Sequence, residues 1–119
     1  MEKIDTAWKI FSAYVLIIFL MLLTNLLSAQ VVVTQFNAEW NSTNDVEWFS
    51  KLSDCNVTKV DIVKQPKLQD KHKIVIVPTI IVFKDGEEIK RYQADLSFKM
   101  EATRKEIQQF INEQIMSDF

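Results

Sequence analysis

The sequence predicts an α/β domain, a four-stranded mixed sheet flanked by helices, preceded by an N-terminal hydrophobic helix. Two patterns carry the domain. A β-branched run at residues 31–36, a helical stretch and an alternating run at residues 57–63 give the order strand, helix, strand. That order closes as a parallel pair with a right-handed crossover. Further on, Asp85-Gly86 stands between two strand-like segments and signals a tight hairpin, which adds an antiparallel pair. The leading helix rests on a third pattern: no charged residue stands between Lys9 and Glu39.

The elements follow in order. Val31-Val32-Val33-Thr34-Gln35-Phe36 is rich in residues that suit a buried strand. Asn41-Ser42-Thr43-Asn44 then supplies capping side chains, and Asn44 with Glu47 reads as a capping box. The helix expected behind it turns Trp48, Phe49 and Leu52 inward and leaves Asp45, Glu47 and Lys51 outside. In the second strand Val60 and Ile62 alternate against Lys59 and Asp61. Pro66 starts a short polar helix through His72, with Leu68 facing in. Pro78 cannot sit inside a central ladder, so the third strand covers residues 79–83. The fourth covers residues 89–93. The last helix, residues 98–116, carries Ile107, Phe110, Ile111 and Ile115 at helical spacing, with Arg104, Lys105 and Glu106 on a solvated face.

Residues 1–30 read as a targeting segment and residues 31–119 as the domain. From Ile10 to Leu23 only Ser12 is polar. That length suits the h-region of a signal peptide, whereas a spanning helix needs about twenty apolar residues. Extension through Leu27 approaches that figure, so an N-terminal membrane anchor over residues 10–27 stands beside the signal peptide as the other reading. Both put everything after Gln30 outside the cytoplasm, by the positive-inside bias. The expected location is extracytoplasmic: bacterial periplasm or secreted, or held at the inner membrane.

A chain of 119 residues allows one domain. The single cysteine, Cys55, excludes an internal disulfide framework. With a single histidine, His72, it also excludes a thiolate or histidine-rich metal centre. No metal and no cofactor are expected. A net charge of −2 argues against a nucleic-acid partner. Cys55 follows the first helix and reads as a half-buried small residue, with a lone reactive thiol as the alternative. His72 lies between Lys71 and Lys73 and is expected to be solvated.

Four short matches then stand in one order: Phe36-x-Ala38-Glu39-Trp40, Val60-x-Ile62 with Pro66, Val77-Pro78-Thr79, and Phe83-Lys84-Asp85-Gly86. Together they resemble the thioredoxin family, from Val31 to about Glu113. The resemblance implies a minimal thioredoxin-like fold, without the extra strand and helix that precede this point in full-length members. It also implies a cis bond before Pro78, in a loop whose backbone pairs with an extended segment of a partner protein. Trp40, Val77, Pro78 and Thr79 are therefore the peptide-groove candidates.

The chemistry departs from that family. Where the family carries Cys-Gly-Pro-Cys, this chain has Asn41-Ser42-Thr43-Asn44; where it carries a buried carboxylate, this chain has Gln35. Disulfide exchange needs a thiolate nucleophile and a second, resolving thiol, and carboxamides supply neither. Asn41, Asn44 and Gln35 are vestigial active-site positions, and no catalytic residue is expected. If Asn44 opens a helix, the helix end would lower the pKa of a thiol placed at position 41 or 44. The expected function is a redox-inactive, exported domain serving as a protein-binding or folding and assembly module. Its partner would be an exported or envelope protein. The alternative is an oxidoreductase-related protein of redox homeostasis that uses Cys55 as a lone thiol.

Overall fold

A computed structural model describes residues 9–19 and 30–117. Four strands form one sheet: β1 (Val31–Asn37), β2 (Asn56–Asp61), β3 (Thr79–Lys84) and β4 (Glu87–Gln93), in the order β2-β1-β3-β4. β1 runs parallel to β2 and antiparallel to β3, and β3 runs antiparallel to β4. The hairpin turn is Asp85-Gly86, with φ of 53° and 84°. Both residues thus take the positive φ that a type I′ turn demands, which is why Gly stands there.

Side-chain alternation sorts the core onto the two faces of the sheet. Val31 and Val33 of β1 join Ile80 and Val82 of β3 on one face. They pack under Phe49, Leu52, Ile107 and Ile111. Phe36 and Ile81 point the other way, into Val60, Ile62, Ile74 and Val77, with Leu68 packed against them. The helix Pro66–Lys71 covers this second face, and the helix Arg104–Met116 covers the first.

Three expectations are corrected. No α-helix follows Asn44: that stretch is two 3₁₀ turns, Glu39–Asn44 and Phe49–Lys51, and Asn44 ends the first instead of capping a helix. The residues expected inside are nonetheless inside, with Phe49 and Leu52 buried and Trp48 packed against the core. The last helix starts at Arg104, not at position 98. Its true cap is Thr103, whose side chain accepts from Glu106 N–H while Glu106 bonds back to the Thr103 N–H. Finally, His72 is half-buried and only partly solvated. Its ring packs against Phe36 and Phe83, with centroids 5.4 Å and 5.3 Å away.

Residues 9–19 are helical. The rest of the expected targeting segment, residues 1–8 and 20–29, lies outside the described residues. Among the described residues, no helix is long and apolar enough to cross a membrane.

Candidate functional site

β1 ends at Asn37, and the turn that follows brings Asn41 and Asn44 together. Asn41 has φ −111° and ψ 21°, outside helical values, and its side chain is buried, 4% exposed. Its Nδ2 faces Asn37 Oδ1 at 3.1 Å, Phe98 O at 3.4 Å and Val77 O at 3.5 Å. Two amide hydrogens are thus shared among three acceptors on three segments. Its Oδ1 accepts from Asn44 Nδ2 at 2.8 Å, and its backbone carbonyl accepts from Asn37 Nδ2 at 3.4 Å. Asn37 Nδ2 also donates to the Asp45 carboxylate. Asparagine side chains that bond sideways compete with helix formation, which accounts for the 3₁₀ geometry here.

Asn41 therefore braces the end of β1 to the loop before Pro78 and to the loop at residues 95–99. A thiol is a weak donor and could not hold this arrangement. Neither would it gain acidity. The element at these positions is a 3₁₀ turn that Asn44 ends and not an α-helix that it begins, and Asp45 puts a carboxylate close by, which disfavours a thiolate. The expected helix-end effect on a restored thiol is thereby withdrawn.

Gln35 lies on the first core face of β1, 1% exposed. Its Oε1 accepts from Val46 N–H at 2.9 Å, fastening the chain after the turn to the sheet. Its Nε2 has no partner among the described residues.

The groove candidates converge. The Val77-Pro78 bond is cis. Val77 and Thr79 are buried, and Thr79 Oγ1 donates to Ile76 O. Trp40 is 62% exposed, and its ring meets the edge of Phe98 at 5.4 Å and 87°. Phe98 is the residue that the sequence reading misplaced in a helix. It sits at φ 65°, in a loop that the Asp95 carboxylate organises by accepting from Ser97 N–H, the Ser97 hydroxyl and Lys99 N–H. The Ser97 hydroxyl, then the Lys99 N–H, hold the Asp95 carboxyl below its ordinary range. The Asp95-x-Ser97 pair is an Asx-turn signal that could have located this loop. Leu96 at its tip is 93% exposed, and Val75, before the cis proline, 87%.

Cys55 lies elsewhere. It precedes Asn56, which pairs with Val32, whereas Pro78 precedes Thr79, which pairs with Phe36. At about 3.3 Å per residue the two are roughly 15–20 Å apart along the strands. The thiol packs against the first core cluster. Burial, reinforced by the Asp54 carboxylate, raises its pKa above the usual value. At pH 8, iodoacetamide should therefore alkylate Cys55 more slowly than a free cysteine, with the rate climbing only in more alkaline buffer. Mass spectrometry of timed aliquots reads this.

Among the described residues, no three metal-ligating side chains converge.

Comparison with known proteins agrees with the fold. The thioredoxin family model matches residues 21–113. Thioredoxin Y1, chloroplastic, of Arabidopsis thaliana is 44% identical over 43 residues, covering 36% of this chain and 25% of that protein. Thioredoxin-related transmembrane protein 1 of Bos taurus is 39% identical over 75 residues, covering 63% of this chain and 23% of that protein. The chain thus spans about a quarter of the length of these two relatives. The reduced thioredoxin pre-protein of Schistosoma mansoni superposes with a TM-score of 0.59 at 25% identity, covering 79% of this chain and 88% of that one.

Proposed function

The chain belongs to the thioredoxin family, and from that premise we propose that it is a redox-inactive member serving as a protein-binding or folding and assembly module outside the cytoplasm. One observation carries the reading. The amides of Asn41 and Asn44, which we align with the family's cysteine positions, are committed to a brace that links the end of β1, Phe98 and the Val77-Pro78 loop. In this reading the position has exchanged chemistry for architecture, and the exposed Trp40 beside the Val77-Pro78 loop is what would receive a partner. Such a groove binds an extended segment of a partner by main-chain pairing and apolar contact.

The extracytoplasmic setting is supported by the charge-free run between Lys9 and Glu39. A relative whose name contains "transmembrane" adds to it. Topology suits the arrangement. The chain enters the domain at Val31, level with Lys84, while Phe36 and Thr79 lie level at the groove end. A leader or anchor would thus leave the groove pointing away from the membrane.

The test is insulin reduction driven by dithiothreitol. The purified protein should give the same rate of precipitation as buffer alone. Turnover that disappears on Cys55→Ser would instead establish the lone-thiol reading.

A further inference from the structure

His72 closes the short helix Pro66–Lys71, its N–H donating to Leu68 O at 3.0 Å. Two residues on, Ile74 N–H donates to Gln69 O at 3.0 Å. Ile74 and Val77 are buried in the cluster that contains Phe36 and Ile81. The imidazole is set between Phe36 from β1 and Phe83 from β3. Residues 66–78 therefore form one continuous strap, pinned to the sheet by Leu68, the His72 ring, Ile74 and Val77. At its far end stands the proline of the groove. The strap is also clamped from β4: Arg91 donates to His72 O at 2.6 Å and to Lys73 O at 3.0 Å.

We propose that protonation of His72 is a switch that loosens this strap and, with it, the Val77-Pro78 wall of the groove. The charges around the imidazole favour the neutral form. Lys71 lies beside it on its own element, Lys73 follows it in the turn, and Arg91 reaches in from β4. Phe36 and Phe83 contribute apolar rings only. Asp70 stands two residues before His72 on the strap, and Glu88 on β4, which pulls toward the charged form, is committed to Arg91 at 2.7 Å and 3.2 Å. An imidazolium formed here would be a cation among cations, against aromatic packing that costs it water.

Burial first, then Lys71 and Arg91, lower the His72 pKa against the opposing pull of Glu88. The folded strap therefore binds a proton less readily than the open one. Its stability is complete above about pH 6.5, the ordinary histidine value, and falls as pH drops below it, where the open form takes up the proton. The consequence for binding rests on the groove reading above; the response of the strap does not.

The experiment is an NMR titration of the isotope-labelled full chain from pH 8 to pH 5. The His72 ring proton and the amides of Ile74, Ile76, Val77 and Thr79 should share one midpoint, below that of an ordinary histidine. Hydrogen-exchange protection at His72 and Ile74 should be lost on the acid side, while that at Ile81 persists. His72→Phe fills the same slot without a proton to gain, and should leave those amides flat across the range. Loop amides that stay still while His72 titrates, or that follow the midpoint of a carboxylate, would overturn the switch, and that comparison needs no variant. A strap that titrates with His72, in a protein whose partner capture survives Trp40→Ala, would uphold the switch and remove the groove reading.

Discussion

Asn41→Ala should destabilise the domain by about 2–4 kcal/mol, because it leaves at least two buried or half-buried groups without a partner at about 1–3 kcal/mol each. The groups are Asn37 Oδ1 and Asn44 Nδ2, with the Phe98 and Val77 carbonyls losing a shared donor as well. In a domain of this size each kcal/mol moves Tm by about 4–8 °C, so thermal unfolding should drop by roughly 10–25 °C. A domain stable by about 5–15 kcal/mol has little to spare. Asn41→Cys with Asn44→Cys, the substitution that rewrites the family pattern, should do comparable harm instead of rescuing activity. Circular dichroism melts of the three proteins check this. A double-cysteine variant that melts with the parent would mean that the amide brace contributes nothing.

Trp40→Ala should do the opposite: leave the fold and abolish capture. The indole is mostly exposed and its ring contact is the edge of Phe98, so its removal opens no core cavity. An exposed tryptophan is a typical binding anchor, with losses of about 2 kcal/mol or more on truncation, which is about thirtyfold in Kd. Titration calorimetry with a captured partner reads the affinity, and a melt of the same sample confirms the fold. Phe98→Ala should follow in the same direction, since Phe98 sets the position of the indole.

The sheet was legible because its signals are local. Period-two alternation marks Val60 and Ile62, the proline at position 78 marks where the third strand starts, and Asp85-Gly86 names its own turn type. The inward residues Phe49, Leu52, Ile107 and Ile111 were legible for the same reason. The site was legible only in part. That positions 41 and 44 carry asparagines and not thiols is plain in the sequence. What they do instead depends on Val77 and Phe98, residues 36 and 57 positions away, and no local pattern reports such partners. Asparagine caps a helix when it bonds to its nearest backbone N–H groups; here Asn44 and Asn41 bond instead to neighbouring asparagine side chains and, at longer distance, to the Phe98 and Val77 carbonyls. His72 was misjudged likewise, since its charged neighbours in sequence said solvent while Phe83 arrives from another strand. The start of the last helix is a different case. Thr103-Arg104-Lys105-Glu106 spells a capping box, and weighing it above apolar spacing would have placed the boundary.

The central claim is that a groove works here without thiols. Its most direct measurement is capture from a membrane and envelope fraction on the immobilised full chain, with and without dithiothreitol, comparing the wild type with Trp40→Ala and Cys55→Ser. The account predicts one set of bound proteins that is unchanged by reductant and by Cys55→Ser, and that is lost with Trp40→Ala. Capture that survives Trp40→Ala but vanishes with reductant or with Cys55→Ser would contradict it, and would put the function at the lone thiol.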